Sequence, residues 1–143
     1  MSTRQIHVFI SHAWAHSHHY QTLSDWIFNG NWSVGQASLN FLDYSVPKHD
    51  PIHNAANDLQ LKRAIFDKIG RSHVIVIPSG MYAAHRKWIQ KEIEGAVQFG
   101  KPILVVNPHG QERKASVVMN NASKIVGWNK KPVINGIWEL YKE

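Results

Sequence analysis

The chain has 143 residues, 43% of them hydrophobic and 18% charged, and no cysteine. That length fits one domain, commonly about 100–150 residues, with enough interior to fold unaided. The composition excludes wholesale disorder, collagen and coiled coil, and the lack of thiols excludes disulfide scaffolds and thiolate metal sites.

The net charge is +6, and it is uneven: residues 1–72 hold six Lys/Arg against five Asp/Glu, residues 73–143 ten against five. A basic half suits an anionic partner, either nucleic acid or nucleotide phosphates; the plainer reading is that it aids solubility. The Lys and Arg residues are scattered, with no basic helix and no aromatic–basic ladder, which argues against nucleic acid. The N-terminal apolar stretch is too short for a signal-peptide core, and no window approaches the roughly 18 apolar residues of a membrane span. A reducing cytoplasm is the expected location.

Taken in order, Ile6-His7-Val8-Phe9-Ile10 reads as a buried strand ended by Ser11-His12. Ser17 is placed to cap a helix over 18–29, where Tyr20, Leu23, Trp26 and Ile27 recur at helical spacing before Gly30. Residues 38–42 form a second strand, followed by a shaped loop, 43–51, with two prolines and two aspartates. A helix opens at Asn57 or Asp58 and runs to Ile69. His73-Val74-Ile75-Val76-Ile77 is an unbroken apolar strand, the pattern of a strand covered on both faces. Residues 82–99 form the longest helix, 102–106 a fourth strand, 115–121 a short helix and 124–128 an edge-like strand. Pro132 starts a final helix. Strands alternating with helices predict an α/β fold: five parallel strands in the flavodoxin-like order 2-1-3-4-5, helices on both faces, one domain over 1–143.

In such sheets a ligand lies beyond the carboxyl ends of the strands, at the switch point. The segments meeting there are 11–14, 43–51 and 78–82, with the start of the longest helix. There is no G-x-G-x-x-G after the first strand and no P-loop motif, so neither phosphate cradle is present. Trp88 and Glu92 stand at i, i+4 on one face of the longest helix. A carboxylate beside an indole can bind ribose hydroxyls or steady a sugar oxocarbenium ion. The alternative is that Trp88 packs in the core and Glu92 is a solvated charge pairing with Lys87 or Lys91. Glu94, about 200° away around the helix, cannot share the same pocket. His12, His16, His18 and His19 lie close in sequence, but no H-E-x-x-H pattern accompanies them, so no metal is expected.

Six ordered blocks then point to one family: Val8-Phe9-Ile10-Ser11-His12-Ala13-Trp14; Ser45-Val46-Pro47 with His49-Asp50-Pro51; Ile77-Pro78-Ser79-Gly80-Met81-Tyr82; Trp88-Ile89 with Glu92-Ile93-Glu94; Gly100-Lys101-Pro102-Ile103; and Val126-Gly127-Trp128-Asn129. From Val8 to about Ile137 the chain resembles the TIR-like domain of Thoeris anti-phage defence proteins. The resemblance implies a flavodoxin-like TIR fold and cleavage of NAD⁺ with loss of nicotinamide. NAD⁺ would be substrate, with no resident cofactor. It implies that Glu92 is the catalytic glutamate. The ADP-ribosyl unit would become a diffusible signal nucleotide, such as a cyclic ADP-ribose isomer, that activates a separate effector protein; capture by water would instead give linear ADP-ribose.

In that setting Ser11 and His12 would contact ribose or phosphate, and Tyr82 and Trp88 would wall the pocket. The 43–51 loop would act as a lid, with Asp43, Tyr44, Ser45 and Asp50 at the ligand. Arg86, Lys87 or Lys91 would attract the diphosphate. Self-association is expected in the active state, with Trp14 and Trp32 as exposed-looking anchors. A non-catalytic TIR scaffold, acting through self-association or partner binding, is the competing reading.

Overall fold

A computed structural model of the protein describes residues 3–11, 18–28, 32–34, 37–43, 58–79, 82–107 and 116–142. Its elements are β1 (Thr3–Ile10), α1 (His18–Phe28), β2 (Trp32–Val34), β3 (Ala37–Asp43), α2 (Asp58–Gly70) and β4 (Val74–Pro78). They continue with α3 (Tyr82–Gln98), β5 (Ile103–Val106), α4 (Ser116–Asn120), β6 (Lys124–Val126) and α5 (Lys130–Lys142).

The strands form one sheet in the order β2-β3-β1-β4-β5-β6. From β3 to β6 every neighbouring pair is parallel, while β2 lies antiparallel on β3 at the edge. The fold is α/β with helices on a largely parallel sheet, consistent with a flavodoxin-like TIR fold. The all-parallel, five-stranded expectation needs correction: the sheet is six-stranded and mixed. Only Gly35 and Gln36 separate β2 from β3 in the sequence, a two-residue spacing suited to a β-hairpin. Three residues are too few to show a period of two, so β2 gave no signal of its own.

Strand parity explains the apolar runs. Ile6, Val8 and Ile10 of β1, Val74 and Val76 of β4, and Leu104 and Val106 of β5 face α1 and α5, where they meet Leu23, Ile27, Val133, Ile134, Ile137 and Leu140. Phe9, Ile75, Ile77, Ile103 and Val105 face the other way, against Ile65 and Ile69 of α2, Ile89, Ile93 and Ala96 of α3, and Val118 of α4. Both faces are covered, so no position alternates to water. Each fully buried Ile, Leu or Val of these layers contributes about 1.5–3 kcal/mol.

Three element ends shift by two residues or more from the sequence reading. β1 begins at Thr3, because β3 offers it a parallel partner from Thr3↔Ser38 onward. β6 stops at Val126. α5 begins at Lys130, before Pro132; in a first turn the missing proline N–H has no intrahelical acceptor to lose. Val133 N–H reaches Asn129 O at 3.2 Å across that turn. α3 closes as expected at Gly100, which has φ +65°. Lys101 N–H donates to Ala96 O at 2.8 Å and Gly100 N–H to Val97 O at 3.2 Å, the paired bonds of a Schellman cap. Gly136 lets α5 lie on β5, since a Cβ there would come within 2.9 Å of Leu104 Cδ1.

At the amino edge of the sheet, His7 and His73 are linked twice. His7 N–H donates to His73 Nδ1 at 2.9 Å, and His73 N–H to His7 O at 2.7 Å. Their rings stack at 4.6 Å, and Tyr141 of α5 meets the His73 ring edge-on at 5.0 Å. Partial burial, His7 and the Lys101 cation together hold the His73 pKa below its ordinary value.

Candidate active site

Ser11 is the first residue beyond β1, at the carboxyl edge of a central strand. Its N–H donates to Val76 O of β4 at 2.8 Å, which extends the β1–β4 ladder by one residue. By parity its side chain falls on the face of Phe9, toward α2 and α3. On α3, Ile89, Glu92, Ile93 and Ala96 follow the i, i+3, i+4, i+7 spacing of a core stripe. A glutamate therefore occupies a position that the helix otherwise fills with apolar residues. Ser11 and Glu92 are both completely buried. The Ser11 hydroxyl donates to Glu92 Oε1 at 2.5 Å, at the short end of O–H···O bonds.

Burying a carboxyl group costs several kcal/mol unless its oxygens are bonded, in the range of about 2–7 kcal/mol for a neutral polar group and more for a charge. A core position given to Glu92 thus holds a carboxyl group that needs bonded oxygens, one of them served by Ser11, where packing alone would take an aliphatic side chain. Its burial overturns the reading of Glu92 as a solvated helix charge. Trp88, one turn earlier, is half-buried and packs against the α2–α3 core. Glu94 is exposed.

The remaining candidates divide as follows. The backbone of Asp43 ends β3, paired with Val8, and that of Tyr82 opens α3. The side chains of both, like those of Arg86 and Lys87, lie outside the described residues. His12, Tyr44, Ser45 and Asp50 lie outside them entirely, as do the lid segment 44–51 and Ser17. Lys91 is half-buried beside Glu92 in the sequence of α3.

Two further polar residues stand at the same edge: Ser79, which the sequence places in the 78–82 segment at the switch point, and Asn107, which follows the apolar run 103–106. Ser79, completely buried, is the first residue beyond β4; its N–H donates to Val106 O at 3.2 Å. Its hydroxyl donates to Asn107 Oδ1 at 2.8 Å, and Asn107 N–H donates to Val126 O at 2.8 Å. Ser11, Ser79 and Asn107 share the odd parity of Phe9, Ile77 and Val105, so all three open toward the α3 face. The available signal was that each is the first polar residue after an apolar run. Their pairing, however, depends on β4–β5 register. Among the described residues, no group of three or more His, Asp or Glu side chains is arranged to hold a metal ion.

A buried carboxyl group, fixed by a hydroxyl at the carboxyl edge of a parallel sheet, can accept hydrogen bonds from sugar hydroxyls and offset a developing positive charge. The class so defined is an α/β domain with a buried Ser–Glu pair at the carboxyl edge of its central strands. Residues 9–113 match the family model described as Thoeris protein ThsB, TIR-like domain. The chain belongs to that family, and the membership points to a role in anti-phage defence. The search of curated proteins gave no match. No described helix is long and apolar enough to cross a membrane.

Proposed function

We propose that this chain cleaves the N-glycosidic bond of NAD⁺ and turns the ADP-ribosyl unit into a signal nucleotide. The observation that carries the reading is Glu92: a carboxyl group in an otherwise apolar stripe, bonded to Ser11 at the carboxyl edge of the central strands.

In this reaction nicotinamide departs with the bonding electron pair as a neutral molecule. Positive charge passes to the ribose, so no general acid is needed. The demand falls on stabilising an oxocarbenium-like ribose and excluding water. Glu92 accepts hydrogen bonds from the ribose hydroxyls and offsets charge at the anomeric carbon. Ser11 holds the carboxyl group in place. Trp88 walls the pocket, with Tyr82, His12 and the 43–51 loop completing it. A hydroxyl or adenine nitrogen of the same molecule captures the cation and loses a proton, giving a cyclic product; capture by water gives linear ADP-ribose. The cyclic product leaves and activates a separate effector. Self-association supports the active state, and the cytoplasm supplies the NAD⁺.

The test is to incubate the purified protein, and lysate of infected cells expressing it, with NAD⁺ and to follow nicotinamide and nucleotide products by mass spectrometry. Nicotinamide release with a new ADP-ribose-derived species is the expected result. Intact NAD⁺ in both samples would favour the scaffold reading.

A further inference from the structure

Asn107 carries an amide whose orientation is set by its neighbour. Because the Ser79 hydroxyl donates to Oδ1, the Nδ2 group is turned away from Ser79. Among the described residues, nothing accepts a hydrogen bond from Nδ2, although Asn107 is half-buried. A completely buried serine thus fixes a side chain whose two remaining donors meet no acceptor among the described residues.

The register locates this amide relative to Glu92. Ile10 pairs with Val76 and Pro78 with Val106, so Asn107 lies beside Ser79, two strands from β1 and two residues further out than Ser11. With strands about 4.8 Å apart and a rise of about 3.3 Å per residue, that is about 10 Å across and about 7 Å outward. A ribose held at Glu92 does not reach so far. The next group along a dinucleotide is the diphosphate, which offers only acceptor oxygens and therefore matches a group with only donors to offer.

We propose that Asn107 is a binding residue for the diphosphate of the dinucleotide, and that Ser79 is a positioning residue that orients its amide. This inference rests on the nucleotide-binding reading of the same edge and extends it to a part of the ligand remote from the bond that breaks.

Asn107→Asp separates the binding role from a structural one. It keeps the shape and the oxygen that accepts from Ser79, but it removes both donors and sets a charge against phosphate. Titration calorimetry with ADP-ribose compares the wild type, Asn107→Asp, Asn107→Ala and Ser79→Ala, each checked by thermal unfolding. Asn107→Asp is expected to weaken binding at least about tenfold, as loss of a hydrogen bond to a charged group does. Asn107→Ala and Ser79→Ala are expected to weaken it less. With NAD⁺, Asn107→Asp is expected to raise KM by a similar factor while kcat stays within about twofold, the mark of lost binding that is equal in ground and transition states.

Equal ADP-ribose affinity of folded Asn107→Asp and wild type overturns the inference, and so does a wild type that binds no ADP-ribose. If Asn107→Asp fails to fold, the Asn107→Ala comparison decides. The reaction itself is judged separately, by nicotinamide release from the wild type. Weakened ADP-ribose binding with no nicotinamide release supports Asn107 while the glycosidic reading falls. Release with unchanged KM in Asn107→Asp does the reverse.

Discussion

Ser11 and Glu92, 81 residues apart in the chain, meet at 2.5 Å between Oγ and Oε1 in the buried layer between the sheet and α3. The contact joins the end of a central strand to the middle of the longest helix. It therefore depends on the whole β1–β4–α3 assembly rather than on a local turn. Glu92 lies in the stripe of Ile89, Ile93 and Ala96, so the chain holds an acid at a position whose neighbours on the stripe are apolar.

Glu92→Gln tests the charge. Gln keeps an oxygen for Ser11 to donate to, and loss of a buried acid relieves its desolvation, so stability is expected to change by about 1 kcal/mol or less. A carboxylate aimed at developing charge is worth several kcal/mol, so nicotinamide release is expected to fall at least about tenfold. Glu94→Gln, at an exposed position, is expected to keep most activity. Wild-type turnover by folded Glu92→Gln would remove Glu92 from the mechanism.

Ser11→Ala tests the support rather than the charge. It removes a buried donor from Oε1, which costs about 1–3 kcal/mol of stability in comparable sites. The carboxyl group stays but is less firmly aimed, so turnover is expected to drop by less than in Glu92→Gln. Denaturant unfolding and nicotinamide release measure the two effects. Loss of neither would mean that the hydroxyl is dispensable to both fold and site.

What the sequence made legible follows from where its signals are strongest. The runs at β4 and β5 could be read because every residue in them is apolar, which only a doubly covered strand requires. Thr3, Arg4 and Gln5 of β1 could not, since their strand pairing comes from β3 and leaves no mark on their own composition. Glu92 was found through its spacing from Trp88, but it was also read as a surface residue. Its spacing from Ile89, Ile93 and Ala96 carried the contrary information, that it lies in the buried stripe. Ser79 can be placed in the 78–82 segment at the switch point, while Asn107 carries no signal beyond ending an apolar run. Their hydrogen bond depends on β4 and β5 standing side by side in one register, a relation between segments that no window of sequence contains.

Gly136→Ala tests the approach of α5 to the sheet. Alanine favours a helix interior over glycine by about 1 kcal/mol. Here, however, its Cβ would come 2.9 Å from Leu104 Cδ1 and 3.5 Å from Val126 Cγ1. Leu104 is completely buried, so its methyl group must push other core atoms, at a cost of about 1–3 kcal/mol. The net expectation is destabilisation, read as a lower denaturant midpoint. Gly127→Ala is the control, since among the described residues a Cβ there meets only Asn129 Nδ2, at 3.6 Å, and its midpoint is expected to stay near the wild-type value.

His73 makes stability depend on pH. Its Nδ1 accepts from the His7 backbone N–H, which requires that nitrogen to be unprotonated. Partial burial first, then His7 and the Lys101 cation, lower its pKa from the ordinary value of 6.5. The unfolded chain therefore binds this proton more readily than the folded one. Stability rises with pH wherever the unfolded state holds more protons. The contribution of His73 is thus fully present above pH 6.5 and is lost as pH falls from there toward the lowered folded value. His73→Asn removes the titrating ring and keeps an oxygen to accept from His7. Melting temperatures taken from about pH 7.5 to about pH 5.5 are expected to fall more steeply in the wild type than in His73→Asn. Parallel curves would show that the proton on His73 is not coupled to folding.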